Sequence, residues 1–235
     1  LSRVLGGLAA GAAAWAGGPL TAWAREIDHF TGTPFVGKNR AGPHARFYIN
    51  YWKPFRRLDP QTWSLEVAGL CGRPARFQLA DLLTLPRTNR TSRLKCVECW
   101  SAKAVWAGFH FSALEGRVKP LAAAKGVRFL CADEYVEYLP LDILRHPHTL
   151  LATHMDGRPL TDEHGFPLRI IAPMKYGYKN PKAIIKMEFV AGTPWGTWSK
   201  IGPYSPDGGI LPGTDHPLDL GKTPRRIPGG EITGY

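Results

Sequence analysis

Two cysteines, Cys96 and Cys99, stand three positions apart in the stretch RLKCVECWSAKAVWAG, which covers residues 93–108. This C-x-x-C spacing serves several chemistries: a structural zinc site, a redox dithiol, a covalently attached haem, or a single thiolate that binds a soft metal. Each of these chemistries needs different partner residues. The rest of the chain therefore decides which one the motif serves.

Zinc and haem both require histidines or cysteines at fixed positions. A structural zinc site needs four protein ligands, usually two Cys pairs or a Cys pair with a His pair. The chain offers the single cysteines Cys71 and Cys131, and the histidines His146 and His148 are only two residues apart. Zinc is therefore disfavoured. Covalent haem needs a histidine directly after the second cysteine, and Trp100 occupies that position, which excludes haem c.

A thioredoxin-like dithiol begins a long helix, whose dipole lowers the pKa of the first thiol. The sequence after the motif, WSAKAVWAGFHFSALE, contains Gly108 and shows no 3.6-residue apolar periodicity. A dithiol is therefore disfavoured, while plain buried or disulfide-bonded cysteines stay open. The remaining interpretation is one working thiolate of the motif, on a soft metal that takes its other ligands from a cofactor. This interpretation requires an anion-binding segment elsewhere in the chain.

The segment HGFPLRIIAPMKYGYKNPK, residues 164–182, has the residue types that such a segment needs. A strand that carries Arg169 leads into a proline-bounded turn, and Gly177 lets the backbone approach a flat group. Lys175, Lys179 and Lys182 surround this glycine. Exposed N–H groups with Arg and Lys suit a phosphate and a polar ring. The alternative is a solvated surface loop.

The sequence pattern predicts that the elements which position these residues form a mixed α+β domain, with mainly short strands and short helices. Residues 62–70 predict a strand, residues 71–74 a turn, and residues 76–83 a strand that enters a short helix. Residues 126–146 predict two strands and a short helix. The runs at 167–173 and 183–190 are rich in β-branched residues. We divide the chain into a core, 44–191, and a Gly- and Pro-rich segment, 192–235, that is expected to wrap on it as ordered loop.

The first residues predict a targeting or anchoring segment. Residues 4–24 carry no charge and lie between Arg3 and Arg25. A helix of this length spans a bilayer core of about 30 Å, and its Gly and Ala content resembles a twin-arginine export signal. We expect a hydrophobic N-terminal helix over 1–24 and a tether over 25–43. The helix is interpreted as an uncleaved membrane anchor, and the alternatives are a cleaved signal peptide and a buried helix of the main domain. The domain is then expected to be periplasmic or otherwise extracytoplasmic.

The net charge of +11 is spread along the chain. Such a charge favours an acidic partner, an anionic cofactor or an anionic membrane surface. No nucleic-acid recognition motif and no basic stripe interleaved with aromatic residues occurs in the sequence. We therefore expect no nucleic acid partner.

Three separated motifs resemble a known family. They are RLKCVECW followed by VWAGFHFSALE, then ADEYVEYLPLD, then GFPLRIIAPMKYGYKNPKAI. Their order and spacing are similar to those of the molybdopterin domain of the sulfite oxidase family, over roughly residues 45–220, and most similar to its bacterial sulfoxide-reducing branch. The resemblance implies the sulfite oxidase molybdopterin-binding fold, a single catalytic domain, and molybdenum-molybdopterin as the cofactor.

The resemblance also implies roles for individual residues. Cys96 matches the cysteine whose thiolate binds molybdenum, which makes it both the catalytic and the metal residue, and Cys99 is a bystander. The cofactor-binding positions are Asn50, Trp52, Lys53, Cys131, His164, Arg169, Gly177, Tyr178 and Lys179. His164 stands where relatives have Asn, and Cys131 lies near a Thr position. Lys103 and His110 are candidates for orienting the substrate.

The expected function is oxygen-atom transfer to or from a sulfur-containing substrate, as in sulfoxide reduction. Sulfite oxidases carry further arginines after the metal cysteine, whereas Lys103 is the only cation of residues 97–108. A sulfite dehydrogenase is therefore the weaker alternative. Because the sequence contains no haem or iron–sulfur motif, electrons are expected to come from or go to a membrane-bound haem-containing subunit or a cytochrome. Further alternatives are a non-catalytic or electron-transfer subunit that keeps the fold, and an extracytoplasmic dithiol protein.

Overall fold

The computed structural model describes residues 47, 49, 52–54, 57–97, 101–210, 214–215 and 225–226. The predictions for segments 1–24 and 25–43 lie outside this part of the chain, as do Asn50 and Cys99. Within the described ranges, no helix combines the length and the hydropathy needed to cross a membrane.

The described residues form twelve short strands and four short helices, which are joined by turns and loops. In chain order the strands are β1 (Ser64–Gly69), β2 (Ala75–Gln78), β3 (Thr88–Lys95), β4 (Ser101–Phe109), β5 (Gly126–Cys131), β6 (Val136–Pro140), β7 (Leu150–Met155), β8 (Arg158–Pro159), β9 (Arg169–Ile171), β10 (Ile184–Val190), β11 (Thr214–Asp215) and β12 (Arg225–Arg226). The helices are α1 (Leu79–Leu83), α2 (Phe111–Val118), α3 (Leu141–Arg145) and α4 (Thr197–Ile201), and a 3-10 turn covers Gly177–Lys179. The prediction of a mixed domain with short strands and short helices is confirmed.

The first sheet has five strands in the order β2-β1-β10-β5-β6. Strands β1 and β10 run parallel and the other neighbours run antiparallel. Leu65 and Val67 alternate with half-buried residues along β1 and face the main core, which also contains Phe129 and Met187. The predictions for residues 62–70, 76–83, 126–146 and 183–190 all fall in this sheet or in the helices that follow it, and they are confirmed.

The second sheet has the order β3-β4-β7-β8, and β9 pairs with β7 as well. Of its strands, only β9 was predicted from the sequence. Along β4 the buried residues Ala102, Ala104 and Trp106 alternate with the exposed residues Lys103 and Val105. The alternation has the period of a strand, but two of its three buried members are alanines, so the sequence signal is weak.

Gly108 allows β4 and β7 to approach closely. The pairing of these two strands shifts register between Ala107 and Gly108. A Cβ atom at Gly108 would overlap the carbonyl oxygen of Leu151 and would lie 2.7 Å from the Cα of Ala152. Both atoms belong to backbone, so no side chain can move away to make room.

This close approach gives a stability prediction. Gly108→Ala should lower the free energy of unfolding by about 1–3 kcal/mol, the usual range for overpacking. Gly116 on α2 is the matched control, because an added Cβ there meets no atom within 4 Å. Gly116→Ala should raise stability by about 0.5–1 kcal/mol, since alanine favours a helix. Urea unfolding measures both changes, and equal midpoints for the two variants would contradict the packing described here.

Candidate functional site

Cys96 lies immediately after β3, at the start of the connection to β4. The two strands form an antiparallel hairpin whose register ends with the pair Lys95 and Ser101. The Cys96 thiol is half-buried and forms no disulfide. Because a strand follows the motif, Cys96 is not at the start of a long helix, and the described residues therefore lack the structural feature of a thioredoxin-like dithiol.

The turn at Gly177 packs against this cysteine, although it lies 81 positions further along the chain. A Cβ atom at Gly177 would lie 3.5 Å from the carbonyl oxygen of Lys95 and 4.0 Å from the Cα of Cys96. Both are ordinary contacts, so the protein neighbours alone do not require glycine at this position. The bare backbone is consistent with the approach of another group.

Cys96 packs against a small apolar cluster. Its buried members are Val97, Tyr176, Tyr204 and Ile210, with Cys96, Tyr178 and Trp198 packed against it. Three of these residues, Trp198, Tyr204 and Ile210, come from the segment after residue 192 and pack beside Cys96. Among the described residues, no group of three or more His, Cys, Asp or Glu side chains could hold a metal ion.

We call residues 203–210 the C-terminal strap, because they run along the turn segment 174–179. The Tyr176 N–H donates to the carbonyl oxygen of Gly208 at 2.9 Å, and the Ile210 N–H donates to that of Met174 at 3.0 Å. The Lys175 ammonium pairs with Asp207 at 2.7 Å. The strap therefore fixes the turn by backbone and side-chain bonds.

Tyr178 and Lys179 complete the turn. The Tyr178 hydroxyl donates to the carbonyl oxygen of Ser205 at 2.7 Å. The Lys179 ammonium is buried, forms an ion pair with Glu137, and donates to the carbonyl oxygen of Pro206 at 2.8 Å. Burial lowers the pKa of Lys179 and raises the pKa of Glu137, as expected for two charges removed from water.

Arg169 is a buried cation on β9. Its Nη1 donates to the carbonyl oxygen of His164 at 2.9 Å, and its guanidinium carbon lies 4.9 Å from the centre of the Trp106 ring. Burial lowers the pKa of Arg169 to about 9. No carboxylate within the described ranges forms an ion pair with it. A cation in this environment favours an anionic ligand.

His164, Cys131 and Lys182 lie in the same region as Arg169. The ring of His164 is buried, 5.7 Å from that of Phe47. Burial raises the pKa of the Cys131 thiol, which accepts a hydrogen bond from the backbone N–H of Lys182. Burial and, next, the charge of Arg169 lower the pKa of Lys182 to about 8. Sequence reasoning noted Lys182 near the turn but did not place it beside Arg169, because no spacing rule indicates that contact.

Trp52 and Lys53 lie next to the turn that follows Cys131 and contains Asp133 and Glu134. The backbone N–H of Trp52 donates to Asp133 Oδ2 at 3.1 Å, and the Lys53 ammonium is exposed and pairs with Glu134. Lys103 is exposed on β4 and His110 precedes α2. The structure thus brings Cys96 to the Gly177 turn, and brings Arg169, His164 and Cys131 to Lys182.

These residues fit a metal cofactor that is itself anionic. A cysteine thiolate is a soft ligand, and Cys96 is accessible. Arg169 and Lys182 provide positive charge for phosphate groups, which prefer charge-assisted hydrogen bonds. The Gly177 turn offers backbone without a side chain.

The sequence of the chain is similar to those of known proteins. The family described as "Oxidoreductase molybdopterin binding domain" matches residues 52–198. The chain is 34% identical, over 236 aligned positions, to the "Protein-methionine-sulfoxide reductase catalytic subunit MsrP" of Pseudomonas syringae pv. tomato, covering 90% of this chain and 70% of that protein. It is 35% identical to the protein of the same name from Xanthomonas campestris pv. campestris, covering 75% of this chain and 61% of that protein.

A solved structure shows the same fold. The sulfane dehydrogenase SoxCD from Paracoccus pantotrophus superposes with a TM-score of 0.67 at 19% identity, covering 85% of this chain and 58% of that chain. At this identity the likeness concerns the fold alone. It confirms the expected sulfite oxidase-type architecture.

The low pKa of Lys182 gives a pH prediction for cofactor-free protein. Above about pH 8 the folded protein has lost the Lys182 proton, whereas an unfolded chain keeps it up to about pH 10.4. The unfolded state then binds more protons, so stability rises with pH across this window. Lys182→Met should remove part of the rise in Tm between pH 8 and 10.

Lys125→Met, at an exposed position on the same chain, is the control for the loss of one positive charge. Thermal unfolding monitored by circular dichroism at several pH values measures the difference. A Tm profile for Lys182→Met that runs parallel to the wild-type profile would contradict the lowered pKa of Lys182.

Proposed function

The chain belongs to the family of oxidoreductases with a molybdopterin-binding domain, and from this membership we propose that it moves an oxygen atom to or from a sulfur-containing substrate, in the manner of a sulfoxide reductase. Molybdenum-molybdopterin is the cofactor of this family. The observation that carries the proposal is the packing of the Gly177 turn against the half-buried Cys96 thiol.

The protein residues have separate tasks in this proposal. Cys96 binds the metal as a thiolate, and when bound, the cofactor supplies the two-electron chemistry of oxygen-atom transfer. Arg169, together with Lys182, compensates the negative charge of the cofactor. The apolar cluster beside Cys96 excludes water from the protein side of the thiol. His164, whose carbonyl oxygen accepts from Arg169, and Cys131, which accepts from the Lys182 backbone N–H, are the proposed neighbours of the pterin.

The substrate proposal rests on the relatives and on local charge. The relatives carry the name of a protein-methionine-sulfoxide reductase, and this chain spans 61 to 70% of their length. A sulfoxide is neutral, so it needs no cluster of arginines. Lys103 is the only cation among residues 97–108, which supports a neutral sulfoxide over a sulfite dianion.

The proposals for the partner and for the location rest on the charge and on the first residues. We propose that a haem protein exchanges electrons with this chain, because two electrons are needed in each turnover. The net charge of +11 favours docking to an acidic protein surface. The uncharged residues 4–24 support an extracytoplasmic domain held at a membrane.

The two cysteines of the motif provide the decisive test. Wild-type protein should contain about one molybdenum per chain, as expected for a site with one protein thiolate. Cys96→Ser should lose both the metal and the reduction of methionine sulfoxide with a reduced dye as electron donor. Cys99→Ser is the matched control and should keep most of both.

Elemental analysis and the dye assay give the answer. Full activity in metal-free wild-type protein would contradict the proposal, and the reverse behaviour of the two cysteine variants would contradict the ligand assignment. A protein that holds molybdenum but reduces no sulfoxide, N-oxide or other oxidised sulfur compound would favour a non-catalytic subunit.

A further inference from the structure

Glu137 is a fully buried carboxylate on β6, in a part of the sheet that packs under the turn. Its Oε1 accepts from the Lys179 ammonium, and from the backbone N–H of Tyr138 at 2.8 Å. Its Oε2 lies 3.1 Å from the Tyr135 hydroxyl. A carboxylate in the interior is tolerated only when it is paired and hydrogen-bonded, and Glu137 meets both conditions.

Two of these partners connect Glu137 with the Gly177–Lys179 turn. Lys179 is the last residue of the turn. Tyr135 donates to the carbonyl oxygen of Tyr178 at 2.6 Å, and its single hydroxyl proton is shared between this oxygen and Glu137. One carboxylate therefore anchors the turn at two consecutive residues.

Two glycines, Gly196 and Gly208, pack closely against the ion pair of Glu137 and Lys179. A Cβ atom at Gly196, which precedes α4, would overlap the Glu137 carboxylate. Gly208 in the C-terminal strap has a positive φ of 60°, and a Cβ there would overlap the Lys179 side chain. The Lys179 ammonium gives two of its three N–H donors to Glu137 and Pro206. Its charge is compensated inside the protein.

Arg169 differs from Lys179 in this respect. Its described polar partners are the carbonyl oxygens of His164 and Ile170, and no carboxylate of the described ranges pairs with it. Of these two buried cations near the site, Arg169 retains charge for an anionic ligand, whereas the charge of Lys179 is already matched by Glu137. The two cations therefore have different tasks.

We infer that Glu137 is a positioning residue, which holds the Gly177–Lys179 turn against Cys96 through Lys179 and Tyr135. Lys179 serves the cofactor by fixing the backbone of the turn and not by binding a cofactor phosphate. This inference rests on the proposed function for its significance, but the contacts that carry it lie within the protein.

Four variants test the inference. Glu137→Gln and Lys179→Met each leave one buried charge without its partner, so each should lower the Tm. The double variant Glu137→Gln/Lys179→Met removes both charges and should regain most of the wild-type Tm. Glu188→Gln is the control, because Glu188 also lies in the first sheet and pairs with a cation, Arg128, at a half-buried surface position.

The first measurement is the alkylation rate of Cys96 by iodoacetamide in the full chain without cofactor, followed by peptide mass spectrometry. A turn that no longer packs on Cys96 opens more often, so the double variant should react on the order of tenfold faster than wild type. Glu188→Gln should react at the wild-type rate. The second measurement is the Mo(V) electron paramagnetic resonance spectrum of the loaded protein, whose g values should shift in the double variant.

A double variant with a wild-type alkylation rate and an unchanged Mo(V) spectrum would overturn the inference. If the double variant does not fold, Tyr135→Phe decides, because it removes one hydroxyl and keeps the ion pair. It should still speed alkylation of Cys96, and a wild-type rate would overturn the inference. Wild-type protein without molybdenum would overturn the proposed function alone, since the alkylation rates are measured without the cofactor.

Discussion

Burial of positive charge is the constraint on which the architecture of this site depends. Moving a cation from water into the protein interior costs several kcal/mol, which the protein recovers only through charged or polar partners. Arg169 donates a hydrogen bond to the carbonyl oxygen of His164, and its guanidinium lies over the Trp106 ring. These two contacts offset part of the cost of burial. In the function proposed above, an anionic cofactor beside Arg169 would offset the rest of this cost.

The two sheets differ in how well the sequence predicts them, and side-chain size explains the difference. The first sheet uses Leu, Val, Phe and Ile at alternate positions, and such residues have high strand propensity. The second sheet is built on β3 and β4, where Thr, Asn, Arg and Ala dominate. Its strands are stabilised by pairing with each other and by Trp106, which is fully buried. That stabilisation comes from tertiary contacts, which single-sequence periodicity does not contain.

In the candidate site, too, some features were predictable from the sequence and others depend on tertiary contacts. The types of Cys96, Arg169 and Gly177 and the resemblance of their surroundings predicted that they belong to one site, and the structure places Gly177 beside Cys96. Glu137 was not predicted, because a glutamate within YVEYLP reads as an ordinary strand residue. Its role becomes visible only when the chain brings β6 and the turn together, 42 positions apart. The cofactor roles of these site residues stay predictions, and Asn50 and Cys99 lie outside the described residues.

The three lysines in and after the turn look alike in the sequence but have different partners in the structure. Lys175, Lys179 and Lys182 lie within eight residues of one another. Lys175 pairs with Asp207 and Lys179 pairs with Glu137, whereas Lys182 donates to the carbonyl oxygen of Glu163 at 3.1 Å and lies near Arg169. The first two lysines tie the strap and the first sheet to the turn, so their charges serve the fold. Lys182 stands beside Arg169, whose charge contributes to its lowered pKa. An anion that binds beside these two groups would be stabilised by both charges.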